Sequence, residues 1–191
     1  MHPLHQHIAA VTPFTEAEFE NALPHFKSGF FNRKTKVILP GQYVKSQYFV
    51  IKGCLRTFLI DPDGKEHTIQ FAVENWWASD YIAYYTGAKS VLSVECIEDT
   101  EVLMVHKDQL ESLYLKVPAI EHFFRRQLEK AFVAFQKRIL SNLHETAELR
   151  YEQFIHQYPN IEQRVRNYQI ASYLGITPES LSRVRKARLK R

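Results

Sequence analysis

The feature that most constrains this chain is a single change of hydrophobic period near Lys107. Before it, apolar residues come in short β-branched and aromatic runs; after it, they recur every three or four residues. The runs are Val37-Ile38-Leu39, Tyr48–Ile51, Leu55–Ile60, His67–Phe71, Val91–Cys96 and Val102–Val105, parted by Pro40-Gly41, Gly53, Asp61–Gly64 and Glu98-Asp99. Short strands with regular punctuation predict an antiparallel sandwich or roll, and Asp63-Gly64 predicts a hairpin. A chain that pairs strands first and only then coils is α+β, with its helices segregated from its sheet.

The helical part opens a long way from the membrane-spanning type. No stretch approaches the roughly 18 apolar residues of a span, and the start lacks a leader's basic and apolar regions. A soluble cytoplasmic protein is expected. Ahead of the strands, Thr15 and Glu18 have the spacing of a capping box, and Pro24 limits that helix to about two turns. His2, His5 and His7 fall in a start expected to be disordered. From Pro118 to about Asn142, Phe124, Leu128, Ala131, Phe135 and Ile139 draw one stripe along a helix of six or seven turns, with Ile120, Phe123, Phe132 and Leu140 as a second edge. The stripe predicts a two-fold dimer seam; the alternative is one face on the roll and one on the following helices. A break near Asn142–His144 precedes a further helix, Glu145 to Tyr158, closed by Pro159.

Charge is unevenly spread. Residues 160–191 carry eight basic and two acidic side chains, a net +6, whereas residues 1–159 carry 17 and 19, a net −2. An acidic body with a basic end suits a polyanion-binding module attached to something else. Hydrophobic residues at 45% and charged residues at 24% are those of a folded domain. Cys54 and Cys96, without a CxxC, exclude a disulfide scaffold and cysteine-rich metal modules.

The C-terminal segment RVRNYQIASYLGITPESLSRVRKARLKR concentrates the local signals. Asn167 is expected to cap a short helix carrying Ile170, Ala171 and Leu174, and Gly175 to end it in the left-handed region. Thr177 is a second N-cap and Pro178 suits the first helical position, where a missing N–H costs nothing. Leu181 and Val184 turn the next helix inward, and Ala171 allows the two helices to approach closely. Helix, tight turn, helix is the helix-turn-helix, whose second helix enters the DNA major groove. Thr177, Pro178, Glu179, Ser182 and Arg183 are then the groove-facing candidates: Arg bonds the two acceptors of guanine and Glu accepts from cytosine. Arg185, Lys186 and Arg188 are expected to meet phosphates, as is Lys190. A plain αα-hairpin with a solvated basic face remains the other reading.

Roll, long helix and C-terminal helix-turn-helix in this order resemble the Crp/Fnr family of bacterial transcription regulators, in the manner of its short Bacteroidetes-type members. ILPGQYVKSQYFVIKGCLRTFLIDPDGKEHTIQF is similar to the family's cyclic-nucleotide-binding roll, with Gly41, Gly53 and Gly64 at its turns. QIASYLGITPESLSRVRK is similar to its DNA-reading unit, with Glu179 and Arg183 on base-reading positions. The resemblance implies a double-stranded β-helix (jelly-roll) sensor over residues 1–117, a dimerisation helix over 118–143 and a DNA-binding domain over 144–191. It implies a homodimer on an inverted-repeat double-stranded DNA operator, with RNA polymerase as a further partner.

Two departures stand out. The family's ribose-holding Gly-Glu pair falls on Ala78-Ser79, and its phosphate-holding Arg-Ser pair on Lys89-Ser90. A lost carboxylate and an ammonium in place of a forked guanidinium predict no cyclic AMP binding. The usual β-hairpin wing is also not expected after the recognition helix. The aromatic cluster of Phe71, Trp76, Trp77, Tyr81, Tyr84 and Tyr85 either lines a pocket for another effector, with Ser79, Lys89 and Ser90 beside it, or belongs to the core. No cofactor is assigned and the effector is unidentified. His67 and His106 are too far apart in the strand region for a cupin-like metal site, and no nucleophile elbow or phosphate loop is present, so an enzyme is not expected. A sensing or protein-interaction module that does not bind DNA is the alternative function.

Overall fold

The computed structural model describes residues 1–188. Its first elements overturn the expected disordered start. Helix α1 spans Pro3–Ala9, with Pro3 at its first position and the His2 ring accepting from the Leu4 N–H at 3.1 Å. Leu4 and Ile8, one helical turn apart, are both buried, so the helix is held by packing that its own short length could not provide. His5 is buried too, donating from Nε2 to the Phe14 carbonyl at 3.1 Å. Helix α2, Glu16–Ala22, has the expected capping box: the Thr15 hydroxyl accepts from the Glu18 N–H, and the Glu18 carboxylate accepts from the Thr15 N–H.

Strands β1 (Phe26–Phe31), β2 (Lys36–Ile38), β3 (Ser46–Lys52), β4 (Leu55–Ile60), β5 (Glu66–Ala72), β6 (Trp77–Ala78), β7 (Ser93–Cys96) and β8 (Thr100–His106) form two sheets, ordered β1-β8-β3-β6 and β2-β7-β4-β5. Pairing is antiparallel, with Phe26 opposite Val105 and Phe49 opposite Leu103. The Asp61–Gly64 turn closes as expected, the Gly64 N–H donating to the Asp61 carbonyl at 2.9 Å. At Gly53 (φ +105°) a Cβ would lie 2.6 Å from the Thr100 hydroxyl and 2.7 Å from the Asp99 carbonyl, so only glycine fits that turn. The remaining helices are α3 (Tyr81–Thr86), α4 (Lys107–Lys116), α5 (Pro118–His144), α6 (Ala147–Gln157), α7 (Ile161–Arg164), α8 (Asn167–Leu174) and α9 (Pro178–Arg188).

The residues divide into two compact units, 1–57 with 71–131, and 58–70 with 132–191. The first has two apolar clusters. One packs α1, α2, α4 and the start of α5 on Phe49, Trp77, Leu103 and Val105; the other lies around Val50, Leu55, Val94 and Val102. Phe124 belongs to the first of these, 5% exposed, with its ring 4.8 Å from that of Trp77. That corrects its assignment to the dimer seam: the helical stripe starts inside the core, where Trp77 and Tyr114 already cover this ring. The second unit is held by Tyr151, Phe154, Tyr158, Ile170, Tyr173, Leu174, Leu181 and Val184, all buried.

Candidate nucleic-acid interface and effector region

Helix α8 ends in a Schellman motif, where the Ile176 N–H reaches the Ala171 carbonyl at 3.0 Å and the Gly175 N–H the Ser172 carbonyl at 3.3 Å. Gly175 takes φ +67°, the left-handed value its position requires. The cap at the other end differs from expectation. The N-cap is Arg166, whose N–H donates to Gln169 Oε1 at 3.0 Å, and Asn167 is the first helical residue. Its side chain is thereby free to turn towards Arg185. In α9, Pro178 is the first residue and the Thr177 hydroxyl accepts from the Ser180 N–H at 3.2 Å.

Leu181 and Val184 anchor α9, and the opposite face is bare. Thr177, Pro178, Glu179, Ser182, Arg183, Lys186 and Arg188 are exposed together. Two of them are steadied from below: Arg183 Nη2 donates to the Ser180 hydroxyl at 3.1 Å, and the Ser182 hydroxyl to the Pro178 carbonyl at 3.0 Å. Glu179 is held below the ordinary carboxylate range, chiefly by its own backbone N–H, then by Thr177 and by the Arg183 charge. It is therefore an acceptor beside a donor at neutral pH. Arg185 is different, being partly buried and bound to other helices of its own unit. Lys190 lies outside the described residues.

The effector candidates do not form one site. Trp77 is core, Trp76 is half-buried, and Tyr85 and Lys89 are exposed, with the Lys89 ammonium 5.8 Å from the centre of the Tyr43 ring. Tyr81 and Tyr85 stack at 6.1 Å, and burial, with the neighbouring Tyr84 second, pushes the Tyr85 phenol up to about 12. Ser79 is buried and donates to the Ser46 carbonyl at 2.9 Å. Ser90 is buried as well, donating to Asp80 Oδ2 at 2.7 Å and accepting from the Leu92 N–H at 3.1 Å. The residue that organises this turn is Asp80, which sequence reasoning missed. It is 1% exposed and its Oδ1 accepts from the N–H groups of Ile82 and Ala83 at 3.0 and 3.1 Å. An Asp directly before a helical run was its only local signal.

Residues 30–116 match the cyclic nucleotide-binding domain family. Among solved structures, the chain is similar to a mutant of CooA from Carboxydothermus hydrogenoformans, with TM-score 0.74 and 16% identity over 97% of this chain and 84% of that one. It is similar to the c-di-GMP-responsive global regulator CLP of Xanthomonas campestris, with TM-score 0.73 and 16% identity over 92% of both chains. FixK2 from Bradyrhizobium japonicum follows, with TM-score 0.72 and 19% identity over 85% of this chain and 83% of that one. The chain has the Crp/Fnr fold. No curated protein matches it in sequence.

Two further features of the chain bear on its surfaces. In the second unit, the Ser172 hydroxyl of α8 donates to the Glu66 carbonyl at 2.6 Å and accepts from the Thr68 N–H at 2.8 Å. Arg138 donates to the Ile69 carbonyl and lies 4.5 Å over the Tyr173 ring. Since β5 is an edge strand, these side chains take the place of a missing neighbour. Along α5, by contrast, Leu128, Phe132, Phe135, Ile139 and Leu143 are 43–77% exposed. Among the described residues no helix is long and apolar enough to cross a membrane, and no cluster of metal-binding side chains occurs.

Proposed function

We propose that this chain is a sequence-specific DNA-binding transcription regulator that acts as a cytoplasmic homodimer. Residues 1–117 are its sensor, 118–143 its dimerisation helix and 144–191 its DNA-binding domain. The observation that carries the reading is the bare face of α9. An acid, a hydroxyl and an arginine (Glu179, Ser182, Arg183) are exposed on one side of a helix whose other side is anchored by Leu181 and Val184. Side chains on such a face reach base edges, with Lys186 and Arg188 placed for phosphates. The apolar side chains of α5 from Leu128 onwards support a second copy as their cover, since exposed rings and aliphatic chains in register are costly in water. A two-fold dimer requires an inverted-repeat operator with half-sites about one helical turn apart. RNA polymerase is the partner through which such a regulator acts.

The sensor does not answer to cyclic AMP in this reading. The turn before α3 is filled by the chain's own Asp80 acid group, which takes up the Ser90 hydroxyl that a phosphate would need. An incoming anion would meet a buried carboxyl rather than a donor, and the lost bonds have no replacement. Selection of randomised DNA with the purified protein tests the main reading: an enriched inverted repeat, bound with a steep salt dependence, is expected. Retention of no sequence, with a flat salt response, would leave the protein-interaction alternative. Titration calorimetry with millimolar cyclic AMP is expected to give no saturable isotherm.

A further inference from the structure

Arg185, in the basic run of α9, is engaged by other helices of its own unit. Its Nη2 lies 2.6 Å from Glu162 Oε1 on α7, its Nε donates to the Tyr151 hydroxyl on α6 at 3.2 Å, and its Nη1 donates to Asn167 Oδ1 on α8. The Tyr151 hydroxyl in turn donates to the same Glu162 carboxylate, and Tyr151 is 2% exposed. Burial, and then the bond to Glu162, raise the Tyr151 phenol above its ordinary range, so it keeps the proton that this bond uses. Three helices, α6, α7 and α8, thus each contribute one group to a guanidinium carried by a fourth, α9.

We infer that Arg185 is a positioning residue, which sets the orientation of α9 against the other three helices and does not neutralise a DNA phosphate. The inference rests on the DNA-binding reading of α9 and departs from the phosphate role that its place in a basic run suggests. Chemistry favours arginine here: one planar guanidinium donates to Tyr151 and Asn167 and pairs in charge with Glu162, on three different helices, which a lysine's single rotating ammonium cannot do. A guanidinium held this way also has little to gain from a phosphate. Its side chain is only 24% exposed, and Glu162 already balances its charge. Lys186, the next residue, is fully on the outside and makes the natural control.

The experiment compares Arg185→Ala, Arg185→Lys, Tyr151→Phe and Lys186→Ala on the selected operator and on random DNA, across a salt series. Arg185→Ala is expected to weaken operator binding about tenfold or more while random DNA changes much less. Its log–log salt slope should stay that of the parent. Arg185→Lys should not rescue it, and Tyr151→Phe should give the same pattern at smaller size. Lys186→Ala should instead weaken both DNAs alike and make the slope shallower by about 0.9. A slope change in Arg185→Ala equal to that of Lys186→Ala, with specificity retained, overturns the proposal. Amide hydrogen exchange on the DNA-free protein gives a separate readout. Arg185→Ala should speed exchange along Leu181–Ala187, and unchanged exchange there refutes the positioning role even if the parent binds no DNA.

Discussion

The turns that open α3 and α9 are built alike and used differently. Each places a side-chain oxygen before a helix to accept from its first N–H groups: Asp80 before Tyr81, Thr177 before Pro178. Around Asp80, Ser79, Ala83, Tyr84 and Ser90 are buried, and its second oxygen is consumed by Ser90. Around Thr177, Pro178 and Glu179 are exposed, and Leu181 and Val184 turn the other side of the helix inward. A helix start whose donors and acceptors are satisfied internally is a piece of the core. A helix whose polar face is satisfied only by its own short-range bonds is a surface prepared for a partner. The α5 stripe from Leu128 onwards is likewise exposed, but apolar.

The largest effect is expected where an open surface is apolar. Phe135→Glu should remove both rings from a two-fold seam, weakening self-association by roughly 3–6 kcal/mol. Sedimentation should then find monomers, and a variant that stays dimeric would move the seam elsewhere. Next comes the closed turn. Asp80→Ala leaves the Ile82 and Ala83 N–H groups and the Ser90 hydroxyl without their acceptor, a loss of roughly 2–4 kcal/mol in chemical denaturation. A loss below about half a kcal/mol would mean that the turn is not part of the core. On the open face, Arg183→Ala should cost roughly 1–3 kcal/mol on the selected operator and relax one base position, without changing the fold's stability. Equal losses on operator and random DNA would reassign Arg183 to the backbone.

The smallest effect concerns pH. Burial, with Lys130 second, depresses the pKa of His7, whose Nε2 lies 3.1 Å from Gln127 and whose ring lies between Phe49 and Phe123. The folded chain then binds this proton less readily than the unfolded one. Stability is therefore full above the ordinary histidine value of 6.5 and falls as pH drops through it. His7→Gln should flatten the pH dependence of the unfolding midpoint between about pH 5 and 7. Glu179, exposed, should leave that profile untouched.

Local chemistry made the two C-terminal helices legible. The Gly175 turn, the Thr177 cap, Pro178 and the inward pair Leu181 and Val184 each depend on residues within four positions of one another, and all are present. The α1 helix was not legible, because seven residues with no strong propensity become helical only once Leu4 and Ile8 find a core made elsewhere. Strand β1 escaped notice for a related reason. Its Phe-Lys-Ser-Gly-Phe-Phe run lacks the β-branched signature and is settled by pairing with β8, whose partners lie 69 to 79 positions further along the chain.

By itself, then, the sequence determined the α+β order of elements, the hairpin at Asp63-Gly64 and the two-helix unit with its exposed polar face. These follow from hydrophobic period and capping, which act over one or two turns of chain. Only the tertiary structure decided which like-looking residues are available. Phe124 and Leu128 sit on one stripe, yet the first is covered by Trp77 and the second is not. Arg185 and Lys186 are neighbours in a basic run, yet one is bound to Glu162, Tyr151 and Asn167 while the other faces outward. Arg185 is held by partners 18 to 34 positions away and Phe124 is covered by Trp77, 47 positions away, and no period or spacing along the chain encodes contacts that only folding brings together.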